Sequence, residues 1–481
     1  MTLSPRSFKT ATLAALIIAG GITNPAHLQA ESLLEIYSKA VNNDPSIREA
    51  QANMYATMES KPQARADLLP QLDFSGQWQT RKQDGTNVVP ILGTPTDQSS
   101  KSDENATNWS FNLTQTLFRW DQFARMGRAD KEVSQAQLDY GFAQQELMVR
   151  VTEAYFNVLA ARDTLVSEQA AKAAIERQLE QANRRYEVGL IAITDVQEAR
   201  AGFDEAIAGE IVAKRDLANS REALREITGE YNEVLSKPAK EIPLVVPEPA
   251  IQDEWVAIAQ AQNLALLSAK IGADITRSDV SAAKSGYMPT LDLQASYGNN
   301  SADGTSEQTP ATRPTTRTER DITQQSVGIQ LNIPIFSGGG TSSKVKEAVY
   351  RHRASKENFE KVVRQTERET RDAYYGVESE ISRVKALRQS RKSSEVALEA
   401  TEAGYEVGTR TTVDVLDARR SLFLAQTNYA RSRYDYIVNV IKLKQAAGTL
   451  NPDDLAMVNS WLQRESDVLD INPASSESDA E

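Results

Sequence analysis

The chain has no cysteine in 481 residues and only two histidines, His27 and His352. It therefore has no disulfide, no thiolate nucleophile and no Cys-ligated metal site. A His-rich metal centre is excluded too, and a nucleophilic triad would have to rest on His352 alone. His352 lies between Arg351 and Arg353 and is expected to be a solvated helix residue. Aromatic residues are 6% of the chain against 25% charged, a balance that suits long helices better than a compact enzyme. Gly338-Gly339-Gly340 fits no phosphate-binding motif, so neither a cofactor nor a resident metal is expected. Proline is absent from Trp120 to Lys237 and again from Ile335 to Asn451. No run approaches ~18 apolar residues, so no transmembrane helix is expected. The formal charge is -12; Arg6 and Lys9 are the only charges in the first thirty residues, so the rest carries about -14 and nucleic acid is a poor partner.

What is present begins with a secretory signal over residues 1–30. Arg6 and Lys9 form a basic start, Ala11 to Gly20 a short apolar core, and Ala30 the last residue before cleavage. From Glu31, Leu33, Leu34, Tyr37 and Val41 have helical spacing. Asp44 is placed to cap a further helix with Pro45 at its first position. That helix is expected to kink at Pro62 and to end at Pro70.

Alternation follows. Leu72, Phe74, Gly76 and Trp78 share one side, and Gln71, Asp73, Ser75, Gln77 and Gln79 the other, which predicts a half-apolar strand. Trp109, Phe111, Leu113 and Leu117 repeat the pattern, so 71–118 reads as a hairpin with a polar loop from Arg81 to Asn108. The proline-free stretch then predicts one helix from Trp120 to Tyr186, with Val151, Tyr155, Val158, Arg162 and Leu165 as a heptad-like seam. Gly189 ends it. Thr194 with Gln197 would cap the next helix, which runs to about Ile227 and closes at Gly229. Prolines 238, 243, 247 and 249 mark a connector.

The cycle then recurs. Tyr186-Glu187-Val188-Gly189 returns as Tyr405-Glu406-Val407-Gly408, 219 positions on, and Asp195 returns as Asp414 at the same offset. Leu291, Leu293, Ala295 and Tyr297 predict a third strand; Val327, Ile329, Leu331, Ile333 and Ile335 a fourth, with Asn299 to Thr323 as a second polar loop. The chain is thus divided into a first repeat (31–249, turn at 186–195), a second (250–464, hairpin about 290–336, turn at 405–414) and an acidic, disordered tail (465–481). Four amphipathic strands cannot close a barrel alone, and open apolar edges aggregate. Three chains would supply twelve strands, an even number suited to an outer-membrane barrel. Leu72, Phe74, Trp78, Trp109, Phe111, Leu293, Tyr297, Ile329 and Leu331 would then face lipid. A soluble sandwich half is the other reading of the strands. A structural or adhesive coiled-coil protein would explain the helices and the signal, but not paired hairpins at a fixed offset. An enzyme finds little support.

The duplicated phrases carry a resemblance. Residues 186–197 and 402–418, with Leu69-Pro70-Gln71-Leu72 and Met288-Pro289-Thr290-Leu291, are similar to the outer-membrane efflux protein family over about residues 31–463. The resemblance implies a mixed α and β membrane protein. Its homotrimer would join a twelve-stranded transmembrane β-barrel to a periplasmic α-helical barrel of coiled coils. It would be a duct for drug efflux or type I secretion, seated in outer-membrane lipid and fed by a periplasmic adaptor (membrane fusion) protein and an inner-membrane transporter of the RND, ABC or MFS kind. It also implies site roles. Asp414 and Asp417 would be the pore constriction, where a multivalent cation could bind. Asp195, Thr194, Tyr405, Arg410, Gln178 and Glu402 would be the links holding it shut. Val188, Gly189, Leu190, Val407, Gly408 and Thr409 would be the adaptor docking tips. From the residues alone, Asp414 is equally a first-turn acid that complements the helix dipole.

Overall fold

The computed structural model describes residues 30–91, 94–232, 234–239, 241–309 and 315–463. The expected signal core and cleavage flank, and the acidic tail, lie outside these. The first repeat comprises α1 (Leu33–Asn43), α2 (Pro45–Met58), α3 (Ser60–Ala66), β1 (Gln71–Ile91), β2 (Thr94–Phe118), α4 (Trp120–Glu187), α5 (Ile193–Thr228) and the short β3 (Lys237–Pro238). The second comprises α6 (Gln252–Gln262), α7 (Leu264–Lys284), β4 (Thr290–Thr309), β5 (Thr316–Asn332), α8 (Gly340–Glu406), α9 (Thr412–Ala447), α10 (Pro452–Ser460) and β6 (Leu462–Gln463). The repeat is built into the backbone. Helices α4 and α8 have 68 and 67 residues, and α5 and α9 have 36 each. At 1.5 Å per residue α4 is roughly 100 Å long.

Local chemistry sets these boundaries. Ser32 caps α1 in a capping box, its N–H reaching Glu35 Oε2 at 2.7 Å. Asp44 caps α2 ahead of Pro45 and, almost wholly buried, also receives Arg150 at 2.5 Å. The expected kink at Pro62 is instead a break at Glu59, between α2 and α3. Pro62 has no N–H for the Met58 carbonyl and its ring crowds that carbonyl, so the helix gives way upstream of the proline.

The core lies at the waist of the long helices. Leu33, Ile36, Val151, Tyr155, Val158, Val377, Ile437 and Leu455 meet there, and the expected seam residues Val151, Tyr155 and Val158 are buried. Phe156 stacks on Tyr434 with ring centroids 5.6 Å apart. Tyr155 Oη donates to the carbonyls of Glu31 (3.0 Å) and Ser236 (2.7 Å), tying the chain start to the connector. Burial pushes its phenol far above the usual tyrosine range, so it stays a donor at any physiological pH. Tyr155→Phe strands the buried Ser236 carbonyl, while Glu31 O keeps the Ser236 N–H, and a loss of ~1–3 kcal/mol is expected from denaturant unfolding. An unchanged midpoint would show that the clasp contributes nothing. The expectation for His352 is corrected: it is half-buried, with Nδ1 3.1 Å from Thr276 Oγ1 on α7.

The sheet runs β1-β2-β4-β5, all antiparallel, with β1 and β5 as edges. The register places every residue expected to face lipid on one side. That side is exposed in the chain: Leu72 at 66%, Trp78 at 73%, Ile329 at 66%. Its upper limit is Trp78 on β1, Trp109 on β2, Tyr297 on β4 and Val327 on β5. Trp78 pairs with Thr107, Trp109 with Asn299 and Tyr297 with Gln325, so the limit steps by two residues at each strand. Two residues are ~6.6 Å along a strand and neighbouring strands are ~4.8 Å apart, so the strands incline by about 50° to the normal of the apolar band. Closed barrels need a steep tilt of this kind.

The two expected polar loops are not loops. Arg81–Ile91 pairs with Thr94–Glu104, and Asn299–Ser306 with Thr316–Thr323, continuing the ladders. Apart from the run Val88-Val89-Pro90-Ile91, both faces are polar there, so alternation gives little signal, while cross-strand bonds such as Thr80 Oγ1 to Asn105 (2.9 Å) and Asn299 Nδ2 to Asp321 (2.5 Å) hold the register. The fourth strand stops at Asn332, short of Ile333 and Ile335, because Pro334 cannot donate to the ladder.

Candidate pore entrance at the paired helical tips

Each long hairpin turns on one glycine. Gly189 and Gly408 both have φ +78°, a conformation that a side chain strains. In the first tip, Leu190 N–H donates to Arg185 O at 2.8 Å; in the second, Thr409 N–H donates to Gly404 O at 2.9 Å. Both close the helix end in the same way. The turn leaves Val188, Leu190 and Val407 about 70% exposed or more, three apolar side chains pointing off the molecule.

The second tip is capped strongly. Thr411 N–H and Oγ1 donate to Asp414 Oδ2 at 2.8 and 2.9 Å, and Asp414 N–H donates back to Thr411 Oγ1 at 3.3 Å. The Thr411 amide first, then its hydroxyl and the Arg410 guanidinium, hold the Asp414 carboxyl below the usual carboxylate range. Asp417 lies one turn on, exposed on the same face. The first tip has Ala192 where the second has Thr411. Asp195 therefore accepts only the Ala192 N–H, at 3.3 Å. The expected cap by Thr194 and Gln197 is not formed: Thr194 is exposed inside the first turn of α5, because the extended residue before the helix is Ala192.

The link residues are arranged differently within one chain from the expected pairing. Arg410 lies 4.0 Å from Asp414, and among the described residues it makes no ion pair with Asp195 in the same chain. Its stem crosses Gly404, where a Cβ would meet Arg410 Cγ at 2.8 Å. Tyr405 Oη is 3.5 Å from Thr412 Oγ1 rather than on Asp195. Glu402 receives Arg419 at 2.6 Å, clamping α8 to α9. Gln178 is buried on α4, and its amide nitrogen has no partner among the described residues.

Three connections between the two hairpins escape a reading of the sequence. The Arg185 guanidinium lies over the Tyr405 ring, 4.7 Å from its centroid. Arg420 pairs with Glu205, and the Leu416 side chain packs where Gly202 leaves room. Arg185 and Tyr405 are separated by a whole repeat, so no local spacing announces them. Among the described residues no cluster of carboxylates and histidines could hold a metal.

Comparison with known proteins agrees with this architecture. A family model described as Outer membrane efflux protein matches residues 36–230 and 255–449, two segments offset by the same 219 positions. The chain is 37% identical to Outer membrane protein TolC of Vibrio cholerae serotype O1, over 90% of this chain and 94% of that one. It is 29% identical to the Alkaline protease secretion protein AprF of Pseudomonas aeruginosa, over 89% and 86%. Among solved structures, the Campylobacter jejuni CmeC outer membrane channel superposes with a TM-score of 0.71, at 17% identity and covering 90% of each chain.

Proposed function

The chain belongs to the outer membrane efflux protein family, and from that premise we propose that three copies form a passive exit duct, with no catalytic step of its own. It is an outer-membrane protein for efflux and secretion, with a β-barrel in the membrane and helices reaching into the periplasm. The reading rests above all on the sheet. It has one exposed apolar face, two unpaired edge strands and an apolar limit that steps evenly across all four strands. Pairing β5 of one copy with β1 of the next removes every open edge and gives twelve strands. The duct would span 31–249 and 250–464 of each chain as matched halves, after removal of the signal over 1–30.

In this reading the six helical tips converge on the three-fold axis. Asp414 and Asp417 make two rings of three carboxylates there, a constriction that favours cations. Arg410, Tyr405, Asp195, Thr194, Gln178 and Glu402 hold it shut, with the Arg410–Asp195 pair formed between copies. Exposed pairs of this kind contribute ~0–1 kcal/mol each, which suits a latch that a partner must open. The exposed Val188, Leu190 and Val407 give a periplasmic adaptor its apolar footing at each tip, beside Gly189, Gly408 and Thr409. An inner-membrane transporter would supply the drive; which of the RND, ABC or MFS kinds does so is set outside this chain.

The test is electrical. The purified protein should run as a heat-modifiable trimer and conduct in a planar bilayer. Tyr405→Phe with Arg410→Ser should raise single-channel conductance several-fold, since Phe keeps the stack under Arg185 while the hydroxyl and the Arg410 charge are lost. A protein that does not conduct sinks the duct; conductance unchanged by the double substitution sinks the latch alone.

A further inference from the structure

Beyond the apolar band the four strands continue as a curved polar sheet whose faces differ in charge. The face continuous with the lipid side is acidic on balance, with Asp84, Asp97, Asp103, Asp303, Glu307, Glu319 and Asp321 against Lys82, Lys101 and Arg317. On the opposite face of these extensions the only charges on the described strands are Arg81, Glu104 and Arg320. That face is concave, and the concavity is lined from all four strands. Its orientation follows from the apolar face pointing to lipid, so this inference rests on the barrel reading. If the apolar face is outward, Arg81 and Arg320 stand on the luminal wall near the exit.

The register shows what surrounds them. Arg320 shares its row with Ala302, Ala106 and Gln79, and Arg81 shares the next with Glu104, Gly304 and Thr318. Between the two arginines the wall is therefore Ala106, Ala302 and Gly304, which leave space, and Glu104, the one long side chain there. Among the described residues neither guanidinium is in an ion pair, although Glu104 sits directly opposite Arg81. Their Cα atoms are three strand spacings and one row apart, about 16 Å on a flat sheet, and both side chains line the same concavity. A guanidinium fork matches phosphate and carboxylate oxygens in pairs.

We propose that Arg81 and Arg320 form a luminal binding site for a soluble small polyanion, one that presents two or more phosphate or carboxylate groups along its length. Glu104 weakens the site by competing for Arg81. Three such sites would ring the exit with positive charge, the reverse of the acidic entrance.

The probe is sodium tripolyphosphate, titrated calorimetrically into the trimer in a neutral detergent. Saturable binding is expected, weakened at least tenfold in Arg81→Gln with Arg320→Gln and tightened several-fold in Glu104→Gln. Lys82→Gln with Lys101→Gln, on the lipid-side face, should leave it unchanged. Absence of binding, equal affinity in the Arg81/Arg320 variant, or loss only with the Lys82/Lys101 variant would each overturn the site. The duct itself is judged separately, by conductance of the same wild-type preparation, so a conducting trimer without the polyanion site is a distinct result.

Discussion

Asp414→Ala combined with Asp417→Ala will raise the concentration of a trivalent cation needed to block the pore by about 100-fold or more. Block is read as single-channel current with the cation added on the tip side. The expectation comes from charge density. Two rings of three carboxylates a single helical turn apart match a compact trivalent ion, and losing them costs about 2.8 kcal/mol at an intermediate dielectric. Asp414 is prepared for this role by its cap. The Thr411 amide and hydroxyl favour its ionised form, so its carboxyl titrates below the ordinary range. The sign follows from that depression. The cap's stabilisation is complete above the unfolded value near 3.9 and is lost as pH falls through the lower folded value. Block should therefore weaken as pH falls into the acid range where Asp414 takes up its proton. Asp417→Ala alone separates charge from capping, because Asp417 holds no cap; it should weaken block without loosening the helix start. Block that survives the double substitution would place the cation site elsewhere.

Much of this machine is legible in the sequence, and the reasons are physical. The long helices were legible because a hundred residues without proline leave the helix no reason to stop, and Gly189 and Gly408 mark where it does. The membrane part of each strand was legible because Leu72, Phe74 and Trp78 alternate with Asp73, Ser75 and Gln77. The extensions past Thr80 and Asn299 were not, since a strand polar on both faces has a loop's composition; the register carried over from the apolar part decides them. The Asp414 cap could have been inferred from Thr411 three residues earlier. The first tip misled because Thr194-Asp195-Val196-Gln197 fits a capping box as well, and only the backbone shows that Ala192 is the extended residue. Arg185 on Tyr405 and Arg420 on Glu205 had no signal at all. Each joins residues more than two hundred positions apart, and an ion pair or ring stack leaves no periodicity. The pairing of Arg410 with Asp195 is a different matter. Within one chain Arg410 turns back on Asp414, so that pair depends on how neighbouring tips meet, which one copy does not fix.

The deepest commitment is the assignment of the sheet's two faces, and two adjacent residues test it. Ile329→Arg should prevent assembly of the heat-modifiable trimer, while Gln330→Arg should leave it intact. Ile329 lies inside the apolar band, two residues below its limit at Val327, and its side chain is 66% exposed in the chain. An arginine facing lipid near mid-depth costs ~2–4 kcal/mol, and the trimer would carry three. Gln330 points the other way, where it accepts Gln294 Nε2 at 2.6 Å across the strand pair. Replacing it costs one polar contact on a wetted wall, about 1 kcal/mol at most. A one-residue slip of β5 would exchange the two outcomes, because strand side chains alternate strictly between faces. If Gln330→Arg were the variant that failed, the apolar face would line the interior. The twelve-stranded barrel, the luminal position of Arg81 and Arg320 and the step of two residues per strand would then have to be abandoned together, since all three are read from that one alternation.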